Sequence, residues 1–434
     1  MGELKLEGGI KGVRGELRVS SDKSVSHRSL ILGAAARGKT FVRNWLRSED
    51  TFATLSILKA LGTRVEERGD EVIVEGRNFV FEEPTAVLDA GNSGTTARII
   101  LGLLSTQPFF SVLTGDDSLR KRPMLRVVRP LREMGAHIDG RELGDRLPIA
   151  VRGGRLRGIT FVNEKSSAQV KSALLLAGLR AEGTTQVKEP LPSRDHTERM
   201  LRAFGVRVNT VPWKGGVSIS VEGGQELEGR EIDCPADPSS AAFFCALCVL
   251  APKGELLLKD TLVSPTRDAF FRKLREMGAD ISYLDRREVS GESVADILVR
   301  GGNRLRGTTV RPEEVPSLID EIPILAVVMA LSEGRSEVRG AGELRVKESD
   351  RIKAVVENLR VMGADVEELE DGFLIEGKEE LRGASIRTWG DHRIAMAFAV
   401  AAMVAKGTTF LDRPECVSVS YPGFFKDLES VVER

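Results

Sequence analysis

One short pattern recurs five times along the chain: an amphipathic helix closing on Leu, Phe or Met, then Gly, then the start of a strand. It reads KALGTRVE, REMGAHID, RAFGVRVN, REMGADIS and RVMGADVE, with the glycines at Gly62, Gly135, Gly205, Gly278 and Gly363, spaced 73, 70, 73 and 85 residues apart. A fixed period of this kind marks one supersecondary unit used repeatedly. Each period reads as strand, helix, strand, helix, strand, strand. In the second copy these are TAVLDA, SGTTARIILGLL, FFSVLT, MLRVVRPLREMG, AHID and LPIAVRG. Apolar spacing is helical in the long runs, and glycines end them as C-caps. A sixth copy, from about Ser385, has the first helix and strand but no marker glycine, and residues 2 to 20 are expected to supply its missing strands.

Six units divide most simply into two domains of three. One is expected over residues 21–229, and the other over 1–20 together with 230–434. The fold class is α/β (α+β), with two chain crossings forming a hinge and a cleft between domains as the expected small-molecule site.

Composition narrows the partners. The 434 residues carry 63 basic and 64 acidic side chains, net −1, so no global basic field recruits nucleic acid or an anionic membrane. Aromatics at 5% also argue against a base-stacking surface. The amino terminus lacks the apolar core of a signal peptide and no run is long enough to cross a bilayer, so a cytoplasmic protein is expected. Cys234, Cys245, Cys248 and Cys416 are too few for a disulfide scaffold. The C-x-x-C pair at 245 and 248 lies in the apolar run AAFFCALCVLA and is expected to be core. The four histidines have no ligand-like spacing, so neither metal nor other cofactor is expected.

Chemistry-bearing residues cluster at helix starts. Residues 33–40, GAAARGKT, satisfy the P-loop pattern but follow a helix and lead into a strand, the reverse of a P-loop's context. In Gly91-Asn92-Ser93-Gly94-Thr95-Thr96-Ala97-Arg98, small residues and an arginine join a strand-like run to a helix, which is how an anion site is built. Lys23, Ser24 and Arg28 fall near another helix start, where Asp22 is the simplest salt-bridge partner for the cations. Arg120, Lys121 and Arg122 precede a third, with Pro123 expected in its first turn. Ser166-Ser167-Ala168-Gln169 and Ser193-Arg194-Asp195-His196 open two more. The carboxyl half supplies acids: Asp320-Glu321, Lys347-Glu348-Ser349-Asp350-Arg351, and Gly390-Asp391-His392-Arg393. Carboxylates among fixed cations are candidate acids and bases. Lysine and arginine at equivalent helix starts predict a site for small polyanions.

In order along the chain, DKSVSHR, AGNSGTTAR, LRKRPM, SSAQVKSALLLAGL, SRDHTERM, IDEIPILA, VKESDR, GDHRIAMA and VSVSYPGFF closely resemble the 5-enolpyruvylshikimate-3-phosphate synthase family. The resemblance implies an inside-out barrel in each domain, three βαβαββ repeats apiece, with helix amino termini facing the interdomain cleft. It implies transfer of the enolpyruvyl group of phosphoenolpyruvate to the 5-hydroxyl of shikimate 3-phosphate, in aromatic amino acid biosynthesis, by a monomer. On this resemblance Lys23, Asn92, Gly94, Arg122, Gln169, Lys347, Arg351 and Arg393 face phosphoenolpyruvate. Lys23, Ser24, Arg28, Ser167, Ala168, Gln169, Ser193, Asp320 and Lys347 face shikimate 3-phosphate. Asp320 is the expected base on the hydroxyl, Glu348 the proton donor to C3 and Lys23 the acid for departing phosphate, with Lys23 and Glu348 able to share proton duties. Asn92 and Arg98 would shape the glycine-rich turn, and Gly94 leaves room for the inhibitor glyphosate.

Two departures from the family pattern stand out. Ala168 replaces a serine common in members, so one phosphate hydrogen bond is either missing or supplied by Ser167 or Lys171, and Val419 replaces a lysine found in some. Two rivals remain. The related enolpyruvyl transferase acting on a UDP-sugar carries a catalytic cysteine in the loop that here reads TGDDSLRKRP. A non-catalytic binding protein of the same repeats would not require Asp320, Glu348 and Lys23 together.

Overall fold

The computed structural model describes residues 2–434 as two units. One comprises residues 2–20, Pro235–Glu288 and Ser293–Arg434, and the other Ser21–Cys234 and Val289–Glu292.

The Ser21–Cys234 unit contains three four-stranded sheets with one topology. In the first, Glu231–Asp233 lies parallel to Lys39–Arg43, which pairs antiparallel with Glu71–Glu75, itself antiparallel to Arg64–Arg68. Leu88–Asp89, Phe110–Thr114, Arg146–Arg152 and His137–Gly140 repeat that order and polarity. Thr160–Val162, Thr184–Glu189, Gly216–Glu222 and Val208–Trp213 repeat it again. The helices Lys23–Ala35, Gly94–Leu104 and Ala168–Gly178 are buried almost all round and form the core between sheets. Gly102 permits this, because a Cβ there would lie 2.5 Å from the carbonyl oxygen of Ala173 on the facing helix.

In the other unit the apolar helices Pro238–Leu250, Ile322–Ala330 and His392–Val404 play the same part. Thr309–Val310, Arg335–Val338, Gly372–Glu376 and Asp365–Leu369 keep the four-strand order. The remaining sheets use the chain's amino-terminal segment. Leu4–Glu7 pairs antiparallel with Thr408–Leu411, giving the last copy a strand it lacks. Gly12–Leu17 lies between Gly254–Leu262 and Val432–Glu433 in a five-stranded sheet.

All five marker glycines have left-handed backbone, φ 84°, 114°, 90°, 106° and 89° in chain order. A side chain at each would be strained, so glycine is the residue that stops the helix and turns it into the following strand. The P-loop-like segment is such a join: the helix ends at Ala35, Gly38 turns at φ 83°, and the strand begins at Lys39.

Two local expectations fail. The strand expected over TAVLDA shortens to Leu88–Asp89. Pro123 lies outside the helix Leu125–Met134, because Leu119–Lys121 makes its own 3₁₀ turn and Met124 is the N-cap. The Pro123 carbonyl instead accepts from Arg98 Nη2 at 3.0 Å. Cys245 and Cys248 are buried in the Pro238–Leu250 helix, where burial lifts both thiols, Cys248 to about 12.

Candidate functional site

The candidate residues form two clusters, one in each unit. The Ser21–Cys234 unit carries Lys23, Ser24, Arg28, Asn92, Gly94, Arg122, Ser167, Ala168, Gln169 and Ser193. Asp22 caps the Lys23 helix, its Oδ1 accepting from Val25 N at 2.8 Å. Lys23 Nζ donates to Asp50 Oδ2 at 2.9 Å, which adds a carboxylate partner from a second helix. Asp50 is 5% exposed, and its helix begins in the Ser48-Glu49-Asp50 segment. Arg28 reaches across the core. Its Nε donates to Thr197 Oγ1 at 2.7 Å, Nη2 to Ser172 Oγ at 2.8 Å and Nη1 to its own helix at Ser24 O, 3.1 Å. Burial pushes this guanidinium down to about 10, so it stays charged at neutral pH.

Gly94 is the first residue of its helix, and Ser93 caps it through Thr96 N. Around it Arg122 Nη2 donates to Asn92 Oδ1 at 2.7 Å, and Arg98 Nη1 donates to Gln169 Oε1 at 2.7 Å. Gln169 Nε2 returns to Thr95 Oγ1 at 2.9 Å. Asn92 Nδ2 donates to Asp116 Oδ2 at 2.6 Å, so this amide joins an acid to a cation. Two arginines, an asparagine and a glutamine are thus fixed beside a backbone position without a side chain. Ser167 caps the Ala168 helix by position, without a side-chain cap bond. Lys171, considered as a substitute for the missing serine at 168, is wholly committed elsewhere. It is 1% exposed and paired with Glu189 at 3.1 Å and Glu198 at 2.8 Å.

The second cluster is built around Arg351, which is 1% exposed and opens the helix Arg351–Val361. Its Nε donates to Asp391 Oδ2 at 2.8 Å, Nη2 to Glu348 Oε2 at 2.6 Å, and Nη1 to Asp320 Oδ1 at 3.5 Å. Burial opposes the charge, but Asp391 and Glu348 outweigh it and hold the guanidinium's pKa above its ordinary value. Within KESDR only Arg351 is buried, and Lys347, Glu348, Ser349 and Asp350 around it are partly exposed. Lys347 adjoins Asp320 and Glu348, and burial pushes its ammonium below the usual lysine value. Arg393, 4% exposed, has its backbone N bound to Asp391 Oδ1 at 2.9 Å. Its Nη1 is buried with no hydrogen-bond partner among the described residues. Residue spacing did not disclose Asp50 or Asp391 as ion-pair partners, although Asp391 lies in the Gly390–Arg393 segment singled out above.

Cationic helix starts in one unit, and a lysine, two arginines and three carboxylates drawn together in the other, are the groups that chemistry on small polyanions calls for. Residues 8–428 match the family model described as EPSP synthase (3-phosphoshikimate 1-carboxyvinyltransferase), and the chain belongs to that family. It is 64% identical to a 3-phosphoshikimate 1-carboxyvinyltransferase of Aquifex aeolicus, with 98% of each chain covered. It is 53% identical to the protein of the same name from Persephonella marina, again over 98% of each. Among solved structures, EPSP synthase from Acinetobacter baumannii superposes with a TM-score of 0.86 at 41% identity, over 99% of this chain and 98% of that one.

Proposed function

We propose that the two clusters act together in the enolpyruvyl transfer that membership of the EPSP synthase family assigns to this chain, from phosphoenolpyruvate to shikimate 3-phosphate. One observation carries the assignment of roles: a buried guanidinium nitrogen of Arg393 without a partner, beside an Arg351 whose own nitrogens are all engaged. A buried donor left unpaired is costly, and an anionic ligand removes that cost. Arg393 and Arg122 then hold phosphoenolpyruvate, with Lys23, Asn92, Gln169, Lys347 and Arg351 around it and Gly94 giving it room. Ser24, Arg28, Ser167, Ser193 and the backbone at Ala168 hold the acceptor's phosphate end, with Lys23, Gln169, Asp320 and Lys347 completing its site.

In the proposed sequence Asp320 takes the proton of the 5-hydroxyl as its oxygen bonds to C2 of phosphoenolpyruvate. The double-bond electrons move to C3, which takes a proton from Glu348. The tetrahedral intermediate then returns a proton from C3 to the Glu348 carboxylate and expels phosphate, which Lys23 protonates or neutralises as it leaves. Fixed cations stabilise the developing charge without reorganising. The reading includes a monomer of two domains, residues 21–229 and 1–20 with 230–434, working in the cytoplasm without metal or cofactor. No described helix is long and apolar enough to cross a membrane.

Phosphate release measured with phosphoenolpyruvate and either shikimate 3-phosphate or a UDP-sugar acceptor tests the reading. Turnover is expected with the first acceptor only. Asp320→Asn and Glu348→Gln are each expected to lower kcat about 10²- to 10⁴-fold. Unchanged turnover in both variants would refute the proton assignments.

A further inference from the structure

Glu189 is a buried carboxylate that the proposed chemistry does not use. It ends the strand Thr184–Glu189 and is 0% exposed, yet four donor groups from three separate segments converge on it. Lys171 Nζ on the Ala168 helix donates to Oε2 at 3.1 Å. Asn163 Nδ2, in the turn before that helix, donates to Oε1 at 2.8 Å. From the segment leading to the His196 helix, Ser193 N donates at 3.0 Å and Ser193 Oγ lies 2.8 and 2.9 Å from the two oxygens. Asn163 passes the constraint on. Its Nδ2 also donates to Ser167 O at 3.0 Å, and its Oδ1 accepts from Ser167 N at 3.3 Å.

One side chain therefore sets the positions of two serines 26 residues apart, Ser167 through Asn163 and Ser193 directly. The arrangement is stiff, because a dry site strengthens each of these charge-assisted bonds. Burial works against the charge on Lys171, but Glu198 and Glu189 outweigh it and raise its pKa. Lys171 thus keeps Glu189 compensated whatever Ser193 does.

Ser193 has a single hydroxyl hydrogen, and here it points to Glu189. A phosphate oxygen needs that hydrogen. We propose that Glu189 is the positioning residue of the acceptor-phosphate site: it pre-sets Ser167 and Ser193 and gives up the Ser193 hydroxyl hydrogen when a phosphate takes it. The inference rests on the reading that these serines hold the phosphate of shikimate 3-phosphate.

Titration calorimetry with shikimate 3-phosphate, together with steady-state kinetics, tests it in the full-length protein. Glu189→Gln removes the charge and turns an amide NH₂ towards groups that are themselves donors. It is expected to raise Kd and KM for shikimate 3-phosphate about tenfold, with KM for phosphoenolpyruvate and kcat within about twofold. Asn163→Ala, which leaves the Lys171 ion pairs in place, is expected to raise the same Kd by a smaller factor and carries the test if Glu189→Gln does not fold. Ser193→Ala serves as the reference. If Ser193→Ala leaves affinity for shikimate 3-phosphate unchanged, the placement of the phosphate fails and the inference fails with it. If Ser193→Ala weakens binding while the folded Glu189 or Asn163 variant does not, or weakens both substrates equally, the site stands and the role given to Glu189 is overturned.

Discussion

Replacing Gly94 by alanine isolates the smallest perturbation that reaches the anion-binding groups. The backbone at Gly94 is not left-handed, and the residue opens a helix, so alanine fits the chain conformation. Its Cβ, however, would lie 2.7 Å from Arg98 Nη1 and 3.5 Å from Arg122 Nη1. The first contact must lengthen by about 0.8 Å to reach ordinary van der Waals separation. Arg98 has little freedom to retreat, since Nη1 is bonded to Gln169 at 2.7 Å and Nη2 to Pro123 O at 3.0 Å. Losing the Nη1 bond costs about 1.5–3 kcal/mol, the range for hydrogen bonds to charged groups, or roughly 10- to 150-fold in affinity. Higher helix propensity offsets part of this in stability, by up to about 1 kcal/mol, so the melting temperature should move only a few degrees. Phosphate-release kinetics should show KM for phosphoenolpyruvate and Ki for glyphosate raised at least about tenfold, with KM for shikimate 3-phosphate changed less than about threefold. If the loss travels through Gln169, Gly94→Ala and Gln169→Ala will be strongly non-additive. Equal effects on both substrates, or additive losses in the double variant, would refute the reasoning.

Two further outcomes follow from the buried charges. His27 is 0% exposed and bonded through Nδ1 to Thr54 Oγ1 at 2.8 Å; burial, then Lys23 and Arg28, push its pKa well below 6.5. The unfolded chain therefore takes up a proton below about pH 6.5 that the folded chain refuses, and stability present above that pH is lost as pH falls, by about 1.4 kcal/mol per unit. Urea midpoints at pH 7.5 and 5.0 should show a shallower loss in His27→Gln than in wild type, and identical slopes would remove His27 from the account. Asp391→Ala leaves Arg351 without its principal counter-charge and strips the cap from the His392 helix, so a destabilisation of about 3–5 kcal/mol is expected by chemical denaturation. A loss under about 1 kcal/mol would mean that Glu348 and Asp320 suffice to hold Arg351.

The repeat was legible because its markers are local. Each glycine follows its own helix and its φ is dictated within a few residues, so period, element order and fold class can be read from sequence. The helix-start cations were legible for the same reason. Their partners were not: Lys23 and Asp50 lie 27 residues apart, and Arg351 and Asp391 lie 40 apart, distances that folding closes and no spacing rule encodes. Glu189 left a trace that was missed. In Thr184–Glu189 the buried positions alternate as Thr185, Val187 and Glu189, which puts a carboxylate on the core face of a strand. Pro123 was misplaced because a proline before a helix signals its start only when the preceding turn does not claim it, and the Leu119–Lys121 turn does.

The pairing of Gly12–Leu17 with Gly254–Leu262 and Val432–Glu433 fixes an order for biosynthesis. All but four residues of the Ser21–Cys234 unit come from one continuous segment, whose sheets have every strand once Asp233 has emerged. The other unit needs its first strands and its last, separated by about 400 residues, or roughly 20–80 s of synthesis. Gly12–Leu17 waits about 240 residues for Gly254–Leu262 and until the end of synthesis for Val432–Glu433, and a nascent chain stalled before Val432 carries one unit with all its strands and another that lacks its last.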